Sequence, residues 1–207
     1  MKRKNRIGLF FGSFNPIHNG HLMIASYMVE FTTLNQVWFV VSPQNPLKEK
    51  NTLLVDHHRL AMVNLVVEDD PRFKSSNIEF KLPKPSYTID TLTYLTEKYP
   101  GNEFALIAGS DIFPTFPKWK NWEELMKQYT FFIYPRAGFQ ENKLSMNPVF
   151  HHVDAPQITI SSSFIRTGIK EGKNMRYFLP EKVWMYIQEM NFYMKPTIGF
   201  TTSKKTV

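Results

Sequence analysis

Short apolar runs rich in β-branched and aromatic residues alternate with stretches of helical periodicity along this chain. Residues 7–11 (Ile-Gly-Leu-Phe-Phe) predict a first central strand, and residues 22–31 the helix after it, with Leu22, Ile24, Ala25, Met28 and Phe31 on its apolar face. Residues 36–42 (Gln-Val-Trp-Phe-Val-Val-Ser) read as a strand buried on both sides. Asp56 is placed to cap a helix running through Leu60, Met62, Val63 and Val66 to about Val67, and residues 78–80 predict a third, short strand. Thr88 is expected to cap the helix of Ile89, Leu92 and Leu95, which Pro100-Gly101 ends. Residues 104–108 give the next strand. Asn121, three residues before Glu124, forms a near capping box opening a helix over 122–128. Residues 130–134 and 158–160 predict further strands, Ser161 or Ser162 starts a short helix, and residues 181–190 form a closing amphipathic helix through Val183, Trp184 and Ile187.

Strands alternating with helices define an α/β protein with a mainly parallel sheet covered by helices on both faces. With 207 residues the chain supports one well-buried core; residues 1–194 are expected to form a single domain and 195–207, which lack periodicity, a loose tail. No internal repeat is evident. In such open sheets ligands bind beyond the carboxyl ends of the strands, where the strand order reverses. Four loops that follow strands carry unusual chemistry: 12–20, 42–50, 109–119 and 161–166.

Composition narrows the class. Hydrophobic residues make up 43% and charged residues 21%, an ordinary globular balance. The absence of cysteine excludes a disulfide scaffold and a thiolate metal site and fits a reducing compartment, so the cytoplasm is the expected location. The basic opening, Lys2 to Arg6, is followed by too short an apolar run for a signal peptide, and no run approaches membrane-spanning length. A formal charge of +7 favours anionic partners, but its spread over the chain reads as solvated surface.

The chemistry concentrates in Gly12-Ser13-Phe14-Asn15-Pro16-Ile17-His18-Asn19-Gly20-His21-Leu22. A polar turn between a strand and a helix places an anion against unpaired N–H groups and the positive end of the helix dipole. Gly12 and Gly20 are expected to let phosphate approach the main chain. His18 and His21, three apart at the helix start, share a face and can converge on one triphosphate. A zinc reading lacks ligands: there is no cysteine, and the remaining histidines come as the adjacent pairs His57-His58 and His151-His152. No protein-borne metal site is expected.

This segment resembles the His-x-Gly-His signature of the nucleotidyltransferase superfamily, which adenylylates small phosphorylated substrates on a Rossmann-like, doubly wound fold. Its longer form is most similar to the bacterial nicotinate-nucleotide adenylyltransferase family, with Asn15 in place of that family's usual Asp. Four further segments carry the likeness. Ser161-Ser162-Ser163-Phe164-Ile165-Arg166 resembles Ile-Ser-Ser-Thr-x-Ile-Arg, with Ser163 for the threonine. Ser42-Pro43-Gln44-Asn45-Pro46-Leu47-Lys48 resembles a loop ending Pro-Pro-His-Lys, with Leu47 for the histidine. Gly109-Ser110-Asp111 followed by Pro117-Lys118-Trp119 resembles Gly-x-Asp then Leu-Pro-x-Trp, with Phe116 for the leucine, and Ser86-Tyr87-Thr88-Ile89-Asp90-Thr91-Leu92 matches Ser-Tyr-Thr-x-Asp-Thr-Leu closely. Tyr134-Pro135-Arg136-Ala137-Gly138 resembles an Arg-Pro-Gly turn in altered order.

The resemblance implies transfer of the adenylyl group of ATP to nicotinate mononucleotide, giving deamido-NAD and pyrophosphate. It implies an ATP site of Gly12, Ser13, Phe14, His18, Gly20, His21, Gly109, Asp111, Arg136, Ser161, Ser162, Ser163 and Arg166. The mononucleotide site would comprise Ser13, Asn15, Lys48, Tyr87, Thr88 and Trp119, with the pyridine on Trp119 and Asp111 near a ribose. His18, His21, Lys48 and Arg166 would act in catalysis, and Mg²⁺ would arrive with ATP. The bland readings are a serine N-cap at Ser161 and a Trp119 packed on the sheet edge. Another acceptor, nicotinamide mononucleotide or phosphopantetheine, and a non-catalytic nucleotide sensor are the alternatives. Neither nucleic acid nor a membrane is an expected partner, and a homo-oligomer is admitted without being specified.

Overall fold

The strands are β1 (Asn5–Gly12), β2 (Gln36–Val41), β3 (Phe73–Ser76), β4 (Asn102–Gly109), β5 (Thr130–Tyr134) and β6 (Phe150–His152). In the computed structural model, which describes residues 4–43, 53–83, 85–139 and 142–195, they form one sheet in the order β3-β2-β1-β4-β5-β6. Every pairing is parallel. The order reverses between β1 and β4, so the loops leaving those two strands part to opposite faces and open a crevice between them. The chain adopts this Rossmann-like α/β fold.

Residues alternate along each central strand and feed two cores. Phe10, Phe39, Ile107, Phe132 and Tyr134 point to one side. Leu9, Trp38, Val40, Leu106, Phe131 and Ile133 point to the other. The first core is covered by α1 (Asn19–Phe31), α2 (Asp56–Val67), α5 (Ser162–Lys170) and α6 (Glu181–Glu189), through Met28, Met62, Ile165 and Ile187 among others. The second is covered by α3 (Thr88–Lys98) and α4 (Trp122–Gln128), through Leu92, Leu95 and Leu125. Two-sided cover explains why the central strands read as unbroken apolar runs. No helix of the described residues is long and apolar enough to cross a membrane.

Several expectations are corrected. Residues 78–80 form a 3-10 turn, closed by bonds from the Phe80 N–H to Asn77 O and from the Lys81 N–H to Ile78 O. The strand at that edge is β3, whose Phe73 to Ser76 pair with Val37 to Val40. Residues 158–160 belong to no ladder; β6 takes that edge, opposite Phe131 to Ile133. Phe31 is 72% exposed and stacks on Tyr27 rather than facing the core. Thr88 and Asp56 are the first helical residues, the caps being Tyr87 and Val55, and Asn121 caps in a left-handed conformation without a side-chain bond. Of the tail expected over 195–207, everything after Lys195 lies outside the described residues.

Candidate active site

The loop from β1 into α1 is packed down by its own aromatic residue. Phe14, at φ 44°, is 2% exposed and meets Phe10, Phe39 and His21 edge to face. A Cβ on Gly12 would stand 2.8 Å from the Phe14 ring, so this glycine makes room for the ring. Gly20 likewise lies where a Cβ would press at 3.1 Å on the His18 ring. Both glycines, and Phe14, therefore shape the loop through its packing.

The two imidazoles stack, with centroids 3.7 Å apart and planes 24° from parallel. The His18 N–H donates to Nδ1 of His21 at 3.2 Å, and the His21 N–H donates to the His18 carbonyl at 2.9 Å. Because Nδ1 of His21 accepts, its neutral ring carries the proton on Nε2. His18 is 4% exposed, and burial first, then the charge of Arg136, pushes its pKa down to about 4. At neutral pH it is an uncharged imidazole, able to donate one hydrogen bond.

The start of α5 sits directly on this loop. Ser162 Oγ donates to the Pro16 carbonyl at 2.9 Å and Arg166 Nη1 to the Asn15 carbonyl at 2.9 Å, while Arg166 Nη2 reaches Ser163 Oγ at 3.2 Å. Ser161 is the N-cap, its Oγ accepting from the Phe164 N–H. The cap and the phosphate reading are thus compatible: a capped helix end faces the imidazole loop, across 146 residues of sequence.

Arg136 joins from the end of β5. Its N–H donates to Ser110 Oγ at 2.9 Å, its Nη2 to the Tyr134 hydroxyl at 3.3 Å, and its guanidinium lies over the Tyr134 ring. Asp111, 66% exposed, is 3.9 Å from Arg136 Nε. A Cβ on Gly109 would collide with both side chains. Arg136 is near enough to depress His18, which puts this turn at the same crevice.

Tyr87, Thr88 and Trp119 gather on the α3 side. Lys120 Nζ lies 4.9 Å above the Tyr87 ring and binds both carboxylate oxygens of Asp90, and the half-buried Trp119 rests on Phe116 at 5.3 Å. Packing on Phe116 leaves part of the indole exposed, so the edge-packing reading of Trp119 holds without consuming the residue. Lys48 and Leu47 lie outside the described residues. Asn15 is 2% exposed, and its Oδ1 accepts from the Tyr193 hydroxyl at 2.8 Å and the Leu54 N–H at 3.3 Å. That oxygen holds the loop down. Ser13 contributes its carbonyl to a buried guanidinium.

The guanidinium belongs to Arg59, one of two buried ionisable residues that sequence reading passed over. Arg59, on α2 and 0% exposed, donates to the carbonyls of Leu54, Ser13, Ser42 and Pro43 and pairs with the Asp56 carboxylate. Glu79, 3% exposed, accepts from the Thr91 hydroxyl at 3.0 Å, with Ser42 and Ser86 beside its carboxyl. Burial pushes its carboxyl upward against those contacts. Arg59 interrupts an apolar helix face and Glu79 sits between Ile78 and Phe80, which are the signals that point to both. Tyr193 follows the last helix and offered no signal.

A doubly wound parallel sheet whose crevice gathers two imidazoles, a capped helix start and two arginines is the architecture of a nucleotidyltransferase. Residues 9–168 match the family described as cytidylyltransferase-like. A protein of Flavobacterium johnsoniae, named "Probable nicotinate-nucleotide adenylyltransferase", is 54% identical over 92% of this chain and its own full length. One of the same name from Bacteroides thetaiotaomicron is 48% identical over 90% of this chain and 92% of its own. The nicotinic acid mononucleotide adenylyltransferase of Plasmodium falciparum, solved with NaAD, superposes with a TM-score of 0.76 at 21% identity, covering 91% of this chain and 97% of that one. The chain belongs to the nicotinate-nucleotide adenylyltransferase family.

Proposed function

We propose that this enzyme joins ATP and nicotinate mononucleotide into deamido-NAD and pyrophosphate, a step of NAD biosynthesis. The observation that carries the site reading is the clamp of α5 on the loop between β1 and α1, through Ser162 to Pro16 and Arg166 to Asn15. It draws the imidazole pair and the serine turn to one crevice.

The mononucleotide phosphate is already ionised near neutral pH, so one of its oxygens attacks the α-phosphorus of ATP in line without a general base. A P–O bond forms, the bond to the β-phosphate oxygen breaks, and pyrophosphate leaves with that electron pair. The protein's part is alignment of two anions and stabilisation of the charge that moves to the leaving group. His21, with its proton on Nε2, and neutral His18 donate hydrogen bonds to phosphate oxygens. Arg166 and Arg136 supply fixed positive charge, with Lys48 assigned the same task from the family motif. The free N–H groups at the start of α3, beside Tyr87 and Thr88, suit the nicotinate carboxylate, and the exposed part of Trp119 suits the pyridine face. Asp111 is assigned a ribose hydroxyl.

Among the described residues no three His, Cys, Asp or Glu side chains gather to hold a metal. The donor set suits Mg²⁺ carried mainly by phosphate oxygens, where it would neutralise charge on the triphosphate. On this reading the partners are the two nucleotides, not nucleic acid or a membrane, the setting is the cytoplasm, and the chemistry sits in one domain. A homo-oligomer is compatible with it, and sedimentation of the full chain measures the state.

The test is Mg²⁺-dependent pyrophosphate release from ATP with nicotinate mononucleotide, nicotinamide mononucleotide or phosphopantetheine as acceptor, with the product identified by mass. The first should react well and the others poorly. Equal or faster turnover of phosphopantetheine defeats the proposal.

A further inference from the structure

Beneath the crevice two ionisable side chains are buried on opposite faces of the sheet, and one serine lies beside both. Arg59 comes from α2, under the first core, and Glu79 precedes α3, over the second. Arg59 uses all five of its N–H donors: Nε on Leu54 O (2.9 Å), Nη1 on Ser13 O (2.6 Å) and Ser42 O (2.8 Å), Nη2 on Pro43 O (3.1 Å) and on the Asp56 carboxylate. Four of the five acceptors are loop carbonyls and none belongs to a strand. A guanidinium spent this way fixes loops rather than the core.

Ser42 is the meeting point. Its N–H donates to the Gly12 carbonyl at 2.9 Å, its carbonyl accepts from Arg59, and its side chain lies beside the Glu79 carboxyl. Glu79 in turn accepts from the Thr91 hydroxyl at 3.0 Å, in the first turns of α3, with Ser86 also beside it. The path from Ser13 through Arg59, Ser42 and Glu79 to Thr91 runs from the triphosphate side of the crevice to the pyridine side through polar contacts.

We propose that Arg59 and Glu79 are positioning residues of the adenylyl-transfer site, joined at Ser42 into one brace that sets the loop after β1 against the start of α3. The two reactants are bound by those two segments, and in-line attack needs their separation held closely, since a misplacement on the order of 1 Å costs about a hundredfold in rate. The inference rests on the substrate assignment above for its catalytic consequence, but the brace itself is a property of the chain without ligands.

Ser42→Ala removes the hydroxyl at the junction and leaves the Arg59 contact, while Ser42→Thr restores a hydroxyl. In the full chain without substrates, hydrogen exchange should quicken tenfold or more in Ser42→Ala and in Glu79→Gln, both at residues 13–18 and at 86–92. Ser42→Thr should stay near the parent. With ATP and nicotinate mononucleotide, kcat should fall at least tenfold in Ser42→Ala and recover in Ser42→Thr. Faster exchange confined to 78–92, or an unchanged kcat in Ser42→Ala, overturns the brace. Arg59→Lys should quicken exchange at 13–18; should it fail to fold, the Ser42 pair decides alone. If the parent protein turns over another acceptor while the exchange result holds, the substrate assignment fails and the brace stands. Turnover as expected, with exchange confined to one side, removes the brace and leaves the substrate assignment intact.

Discussion

The ring of His18 lies face to face with that of His21, 3.7 Å away, and only the inner one is shut off from water. The pair is therefore unequal: a buried, neutral imidazole backs a second ring whose Nδ1 is taken by the main chain of the first. The back-bond fixes the ring of His21 on the main chain of the loop and leaves its proton on Nε2.

Replacing His21 by Ala should leave the circular dichroism spectrum unchanged and lower kcat by about a hundredfold to a thousandfold, the usual cost of one preorganised oxyanion donor. Pyrophosphate release at saturating substrates measures it. A variant as fast as the parent would remove His21 from the mechanism.

His18 makes stability depend on pH in a stated window. Its pKa falls from the usual 6.5 to about 4 on folding, so between those values the unfolded chain binds a proton that the folded chain refuses. Stability is then full above pH 6.5 and is lost as pH drops toward 4, by about 3 kcal/mol at most. The raised carboxyl of Glu79 works in the opposite direction, which makes the difference from His18→Asn the clean measure. Urea unfolding of the two proteins at pH 7 and 4.5 should converge as pH falls; parallel curves would contradict the burial of this ring.

Arg166 serves two ends, a bond to the Asn15 carbonyl and a charge at the crevice. Arg166→Ala should reduce kcat/KM for ATP by about two orders of magnitude and cost about 1–3 kcal/mol of stability from the lost charged hydrogen bond. Ser162→Ala, which loses only the bond to Pro16, should lie nearer about 1 kcal/mol with a smaller kinetic effect. Comparing unfolding with kinetics separates the two roles.

Trp119→Ala should chiefly raise KM for the mononucleotide and spare KM for ATP. If neither binding nor turnover changes, the pyridine lies elsewhere.

Tyr193→Phe deletes the hydroxyl bond to Asn15 Oδ1 and leaves the Leu54 N–H as that oxygen's partner. A loss of about 1 kcal/mol in unfolding free energy is expected, together with a higher KM for ATP, since Asn15 anchors the loop that carries the imidazoles.

The central strands and their helices were legible because two-sided burial writes an unbroken apolar run, as in β2 and β5, and one-sided burial writes a helical period, as in α3. The edges were not. β3 is Phe-Lys-Ser-Ser, a polar outer strand with no apolar period, whereas Ile78-Glu79-Phe80 alternates convincingly and forms a tight turn in which Glu79 is drawn in to the Thr91 hydroxyl. The first motif announced its histidines, but the reason for its glycines was hidden: space at Gly12 goes to the Phe14 ring, which only a folded loop reveals. Arg59 left only its interruption of an apolar helix face as a signal, for a similar cause. A charged residue on a helix ordinarily faces water, and the carbonyls that satisfy this one come from segments remote in sequence.

Since all six strands run the same way, each loop leaving a strand emerges at the same rim. On the proposed assignment, the grip on the triphosphate and the choice of acceptor are consequently written in separate stretches of chain mounted on a common frame. The same assignment lets a lineage exchange one second reactant for another by rewriting the segment around Tyr87 and Trp119, leaving the histidine loop and the interior intact.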